Sequence, residues 1–168
     1  MIEKFIILVS TLVSTGYPAN FNAEQKEISS VIIKEAARLG EDPYVLMSIA
    51  FQESGIRKGQ RSHTGDVGIF QINWRFWGKR IWRYESYKQF EKDMNDPVHA
   101  TVAAVVVLKE MRLYKTCVGV NLFACYNGGP AWMKSKNIDK IVSYARRVEQ
   151  RRKRYKRKYP SWSERRVK

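Results

Sequence analysis

The sequence predicts a mainly α fold with one small β-hairpin, and three observations carry that expectation. Two Asp-Pro pairs, Asp42-Pro43 and Asp96-Pro97, put a capping side chain before a proline, which is how helices start. Apolar residues recur at helical spacing along much of the chain. Glycines gather between Gly55 and Asn73 and are followed by a short β-like run, the pattern of a loop and hairpin. The 168 residues suit one compact domain with its own core. A hydrophobic fraction of 44% with 12% aromatics excludes a disordered chain. No internal repeat and no Gly/Ser linker divides it.

The first residues, "MIEKFIILVSTLVSTGYPA", place Lys4 before an apolar stretch from Phe5 to Val13 and then small residues. This describes a secretory signal over 1–19, with cleavage near Ser14, Gly16 or Ala19. The stretch is short for a membrane span. The competing reading is a buried N-terminal strand or helix. An exported protein, in the periplasm or cell envelope, is the expectation.

A capping box at Asn22 to Gln25 should open the first helix, with Ile28, Val31, Ile32 and Ala36 on its apolar face and Gly40 closing it. The second helix starts at Asp42-Pro43 and runs to about Glu53. The aromatic stretch "NWRFWGKRIWRY" is expected as short helix or irregular structure. The third starts at Asp96-Pro97, and "VHATVAAVVVLKEM" is so apolar that it should be the buried centre. "NLFACYNGGPAW" should be a short helix broken at Gly128-Gly129-Pro130. From Asn137 the chain is helical again. The domain is expected over 20–150, with a basic extension over 151–168.

The net charge is +15, and most of it belongs to that end. From Met133 on there are 15 Lys/Arg against 3 Asp/Glu, so the preceding 132 residues carry only +3. The tail interleaves its cations with Tyr155, Tyr159 and Trp162. That pattern suits an anionic wall or membrane surface, or nucleic acid. No nucleic-acid recognition motif accompanies the charge, so the anionic envelope is the expected partner. Two cysteines, Cys117 and Cys125, leave a short-loop disulfide and two buried thiols both open. With no clustered His they exclude a zinc site, and no metal or organic cofactor is implied.

The residues that bear on chemistry begin with Glu53. Val45, Ile49 and Glu53 are spaced i, i+4, i+8, so an acid shares the face of apolar residues. Burial and the negative helix C-terminus both disfavour its ionised form. At its reference pKa a glutamate is only ~0.2% protonated at pH 7. Raised to roughly 6 it would be ~10% protonated, at a cost of about 2 kcal/mol. A protonated carboxyl is what cleavage of a glycosidic bond needs. The alternative is a helix-closing ion pair with Arg57.

"FQESG", "GDVGIFQINW" and "ACYNGGPAW", in that order, together with the Asp96-Pro97 helix, resemble the catalytic domain of soluble lytic transglycosylases, in the lysozyme-like superfamily, of the type associated with secretion systems. The resemblance covers about residues 24–148. It implies a lysozyme-like α+β fold with the hairpin beside the cleft, and peptidoglycan glycan strands as substrate. It implies Glu53 as the single acid/base for cleavage between N-acetylmuramic acid and N-acetylglucosamine, with closure of a 1,6-anhydro ring. It also implies Ser54, Gln71, Tyr126, Asn127 and Tyr144 as residues that line the cleft and position sugar and acid. Gln71 is read as part of an apolar strand. Lys140-Ile141 stands where the family has Glu-Thr before its late tyrosine. Asp66 in "GDVGIFQIN" also looks like the second carboxylate of c-type lysozymes, so a hydrolysing muramidase using Glu53 and Asp66 is the near alternative. A non-catalytic wall or nucleic-acid binder is the distant one. Small size without wall-binding repeats suggests a local cutter, accessory to a secretion or conjugation machine or to phage entry.

Overall fold

The structure is a computed structural model and describes residues 16–163. Most of the expected signal, including Ser14, therefore lies outside the described residues, as does the end of the tail from 164. The fold is mainly helical, with a two-stranded antiparallel sheet, as the sequence predicts.

Helix α1 (Ala23–Leu39) opens on the expected capping box. The Asn22 side chain accepts from Gln25 N at 2.8 Å, and Gln25 Oε1 accepts from Asn22 N at 3.0 Å. Helix α2 (Pro43–Ser54) starts at Asp42, whose carboxylate accepts from Tyr44 N. It stops because Gly55 is left-handed (φ 67°) and Ile56 follows it there (φ 58°). A β-branched residue in that region is strained, by roughly 1–3 kcal/mol. Its complete burial, and the Gln25 Nε2 hydrogen bond to Gly55 O (2.8 Å), hold the reversal in place.

Strands β1 (Asp66–Val67) and β2 (Ile72–Asn73) pair Asp66 with Asn73 and Val67 with Ile72. The aromatic stretch forms a π-helix, Trp74–Ile81. Helix α3 (Tyr87–Asn95) has no counterpart in the sequence expectation. Ser86 caps it, and it buries only Phe90 and Met94, a signal too sparse to stand out in a charged segment. Helices α4 (Pro97–Met111), α5 (Asn121–Gly128) and α6 (Ile138–Lys158) follow.

Helix α2, rather than α4, is the most enclosed element. Every residue from Pro43 to Ala50 is buried, between α1, α4 and α6. Helix α4 packs against α1, α3 and α5 but leaves Val98 and Val106 each 41% exposed. Cys117 and Cys125 form a disulfide that ties a 3-10 turn (Lys115–Cys117) to α5. Closing a loop of this length limits the unfolded chain by an amount worth about 2.5 kcal/mol.

No break marks the boundary expected at residue 150, since α6 runs through it. The tail's aromatics are not displayed to solvent. Tyr155, Tyr159 and Trp162 are buried, and Trp162 stacks between Tyr159 (4.8 Å) and Tyr44 (5.7 Å). Trp162 Nε1 donates to Gly16 O at 2.9 Å, and Tyr44 Oη donates to the carbonyls of Tyr159 and Pro160. The chain end around Trp162 is thus a clasp over the start of α2, and the cations point outward from it. Among the described residues no helix is long and apolar enough to cross a membrane. Trp162→Ala should cost about 3–5 kcal/mol in urea unfolding. Arg157→Ala, on the exposed face of the same segment, should stay within about 0.5 kcal/mol.

Candidate active site

The reversal after α2 leaves Glu53 at the edge of a cleft of about 590 Å³. One wall is the hairpin and π-helix, with Asp66, Gln71, Asn73, Phe76 and Trp77. The other is the end of α4, with Glu110 and Met111, then Tyr114, Tyr126 and Asn127. Glu53 keeps a partial opening to solvent, but protein crowds its carboxyl. Arg57 is not paired with it. Among the described residues its one hydrogen-bond partner is Tyr144, whose hydroxyl donates to Oε1 at 2.5 Å. Oε2 has no partner there, so Oε2 is the atom free to carry a proton to a ligand.

This environment pushes the Glu53 carboxyl up from 4.5 to about 7. Desolvation is the main cause. The Tyr144 hydroxyl opposes it by stabilising the carboxylate, and the negative charge of Asp66 adds to it. The phenols of Tyr144 and Tyr126 are held well above the ordinary tyrosine range, first by burial and then by Glu53 itself. They act as hydrogen-bond donors throughout the physiological pH range.

The segment Gly68-Ile69-Phe70-Gln71 is a turn between the strands, not a strand. Its backbone groups need partners, and three helices supply them. Ser54 Oγ of α2 donates to Ile69 O at 2.7 Å. Tyr126 Oη of α5 donates to Phe70 O at 2.9 Å. Ile69 N donates to Met94 O of α3 at 3.2 Å. Gly68 is left-handed (φ 79°), and a Cβ there would lie 2.0 Å from Met94 O, so only glycine fits. Gln71 is also left-handed (φ 49°), pinned by its amide donating to Gln60 O (3.1 Å) and Gly68 O (2.9 Å).

The sequence-predicted residues therefore divide. Glu53, Asp66, Gln71, Tyr126 and Asn127 line the cleft. Tyr144 lies behind Glu53 and touches its carboxyl. Ser54 does not line the cleft; it stitches α2 to the turn. Asn127 is exposed and makes no side-chain hydrogen bond with the described residues, so its amide is free for a ligand. Asp66 accepts from Ser62 Oγ and Thr64 Oγ1 on Oδ2, both at 2.7 Å, and from Asn73 Nδ2 on Oδ1 at 2.8 Å. Among the described residues no three His, Cys, Asp or Glu side chains form a metal-binding group.

Residues 30–146 match the family described as Transglycosylase SLT domain. The chain belongs to that family. The comparison with curated proteins and that with solved structures gave no match. Membership makes the chain a lytic transglycosylase-type enzyme with peptidoglycan as its substrate class. In this transglycosylase the three motifs meet at one turn: α2 ends on Glu53-Ser54, Ser54 and Tyr126 grip the turn, and Gln71 leaves it at the cleft. Sequence reasoning missed Asn73, Phe76, Trp77, Glu110 and Tyr114 as cleft residues. The aromatic run after Asn73 is the available signal for Phe76 and Trp77, since aromatic faces suit sugar rings; Asn73 itself carries none. For Glu110 and Tyr114 there was none.

A raised carboxyl pKa destabilises the fold as the group ionises. Stability from Glu53 is full below about 4.5 and is lost as pH rises through about 7. Urea unfolding between pH 4.5 and 8 should show a loss of roughly 2–3 kcal/mol in wild type that is absent in Glu53→Gln. Tyr144→Phe removes the interaction that lowers the pKa, so it should move the midpoint of that loss upward.

Proposed function

We propose that this transglycosylase cleaves the β-1,4 bond between N-acetylmuramic acid and N-acetylglucosamine with Glu53 as its single acid/base. The supporting observation is a carboxyl held near pKa 7 on a residue that lines the cleft, with one oxygen fixed by Tyr144 and the other without a partner among the described residues. Glu53 Oε2 gives its proton to the glycosidic oxygen as the muramyl C1–O bond breaks. The muramyl 6-hydroxyl oxygen then bonds to C1, and its proton passes to the Glu53 carboxylate. No water is consumed, and the acid is regenerated in its protonated form. Gln71 and Asn127 offer amides to the N-acetyl and hydroxyl groups, and Phe76 and Trp77 offer faces to the sugar rings.

Hydrolysis through Asp66 is the second reading, because Asp66 shares the cleft. Three side-chain donors on its two oxygens favour a fixed charge that raises Glu53 over a nucleophile. A role as a wall or nucleic-acid binder without turnover has less support. Tyr155, Tyr159 and Trp162 are inside the core, so the tail keeps no aromatic side chain for stacking on bases.

The outward cations of α6, including Arg146, Arg147, Lys153, Arg154 and Arg157, suit attraction to the anionic envelope. With the apolar N-terminal stretch they support export to the periplasm or envelope. Accessory work for a secretion or conjugation machine, or for phage entry, fits a local cutter.

Glu53→Gln should lose at least about a thousandfold in turnover on purified peptidoglycan. Its wild-type products should be anhydro species, lighter by one water than reducing-end products. Because the acid must be protonated, kcat/KM should fall about tenfold per pH unit above about 7. Asp66→Asn should cost roughly tenfold as a charge, against at least about a thousandfold as a nucleophile.

A further inference from the structure

The chain carries +15, yet among the described residues its cleft is lined by three acids and by no Lys, Arg or His. Two of the acids are committed. Glu53 is held by Tyr144 and used in proton transfer, and Asp66 is held by Ser62, Thr64 and Asn73. The third, Glu110, sits exposed at the end of α4 and makes no ion pair or side-chain hydrogen bond with the described residues. Its neighbour Arg112 is bound through both terminal nitrogens to Glu41, at 2.6 and 2.8 Å. Tyr114, 42% exposed, follows Glu110 on the same wall and adds an aromatic face.

A carboxylate and an exposed aromatic lining the same cleft, which has no cation among the described residues, are matched to an ammonium group. A neutral N-acetylated glycan offers none. We propose that Glu110 and Tyr114 form a specificity subsite for a primary ammonium carried by the glycan strand, either on a diamino acid of its peptide stem or on a glucosamine that has lost its acetyl group. This rests on the reading of the cleft as the glycan-cutting site. The subsite acts on binding, since Glu110 lies on the wall opposite the hairpin and takes no part in the proton transfer.

The test compares wild type and Glu110→Gln on two substrates, strands with free stem amines and stem-free strands partly de-N-acetylated, each before and after acetylation of its amines. Acetylation and Glu110→Gln should each raise KM about fivefold, with the change in KM and not in kcat. Applied together they should raise it no more than either alone, as expected of one shared interaction. The substrate on which this holds identifies stem or sugar as the source. A wild-type KM indifferent to acetylation in both substrates overturns the proposal, as do two effects that multiply. If nothing is cut, the same strands are titrated against the full-length protein by calorimetry. Amine-dependent binding that Glu110→Gln removes keeps the subsite and defeats the glycan-cutting reading; binding that ignores the amine, or none at all, defeats the subsite.

Discussion

The exclusion of water from one carboxyl group is the constraint on which the site depends. Glu53 ends an apolar helix, at the end where the backbone dipole is negative, and its hydrogen-bond partner is a phenol instead of a cation. A guanidinium in that place would have stabilised the carboxylate and left it without a proton to give. Tyr144 fixes one oxygen while opposing the shift only in part. The rest of the chain serves to keep that position possible: α2 is enclosed along two thirds of its length, and its last residues are turned away by Gly55 and a strained, buried Ile56.

The second organising feature is the turn Gly68 to Gln71. It is too short to satisfy its own backbone, so α2, α3 and α5 each lend a group. That explains why Glu-Ser, Gly-x-x-Gln and Tyr-Asn travel together in this chain. The serine after the acid is there to hold the turn, and the tyrosine before the asparagine is there for the same purpose. Loss of either should disturb Gln71 and the cleft wall without touching the acid. The disulfide anchors α5 at Cys125, the residue before Tyr126, and so steadies the tyrosine's side of the grip. Charge is distributed with similar economy: most cations of α6 are exposed, and among the described residues the charged side chains that line the cleft are all acids.

Much of this was legible in the sequence, because caps and periodicity are local. Asn22, Asp42, Asp96 and the glycines at 40 and 55 set helix ends where the residues said they would. Glu53 was legible for the same reason, since spacing alone put it on an apolar face. The misreadings are all matters of tertiary placement. Ser54 and Gln71 took on backbone partners fifteen and eleven residues away, which no local pattern encodes. Trp162 reads in the sequence as part of a basic extension, but Tyr155 and Tyr159 at helical spacing and a 3-10 turn at Pro160–Trp162 bring the three aromatics inward and leave the cations between them exposed. Two buried residues in nine make too weak a stripe to mark helix α3 in the sequence. Glu110 carries no local signal, because its place at the cleft follows from where α4 ends.

The central claim is that position 53 keeps its proton near neutrality. Carbon-13 NMR titration of the Glu53 side-chain carboxyl in the folded protein, assigned by its loss in Glu53→Gln, tests it most directly. The account predicts a midpoint at about 7. A midpoint at the ordinary glutamate value near 4.5 would contradict it, and with it the assignment of Glu53 as the proton donor.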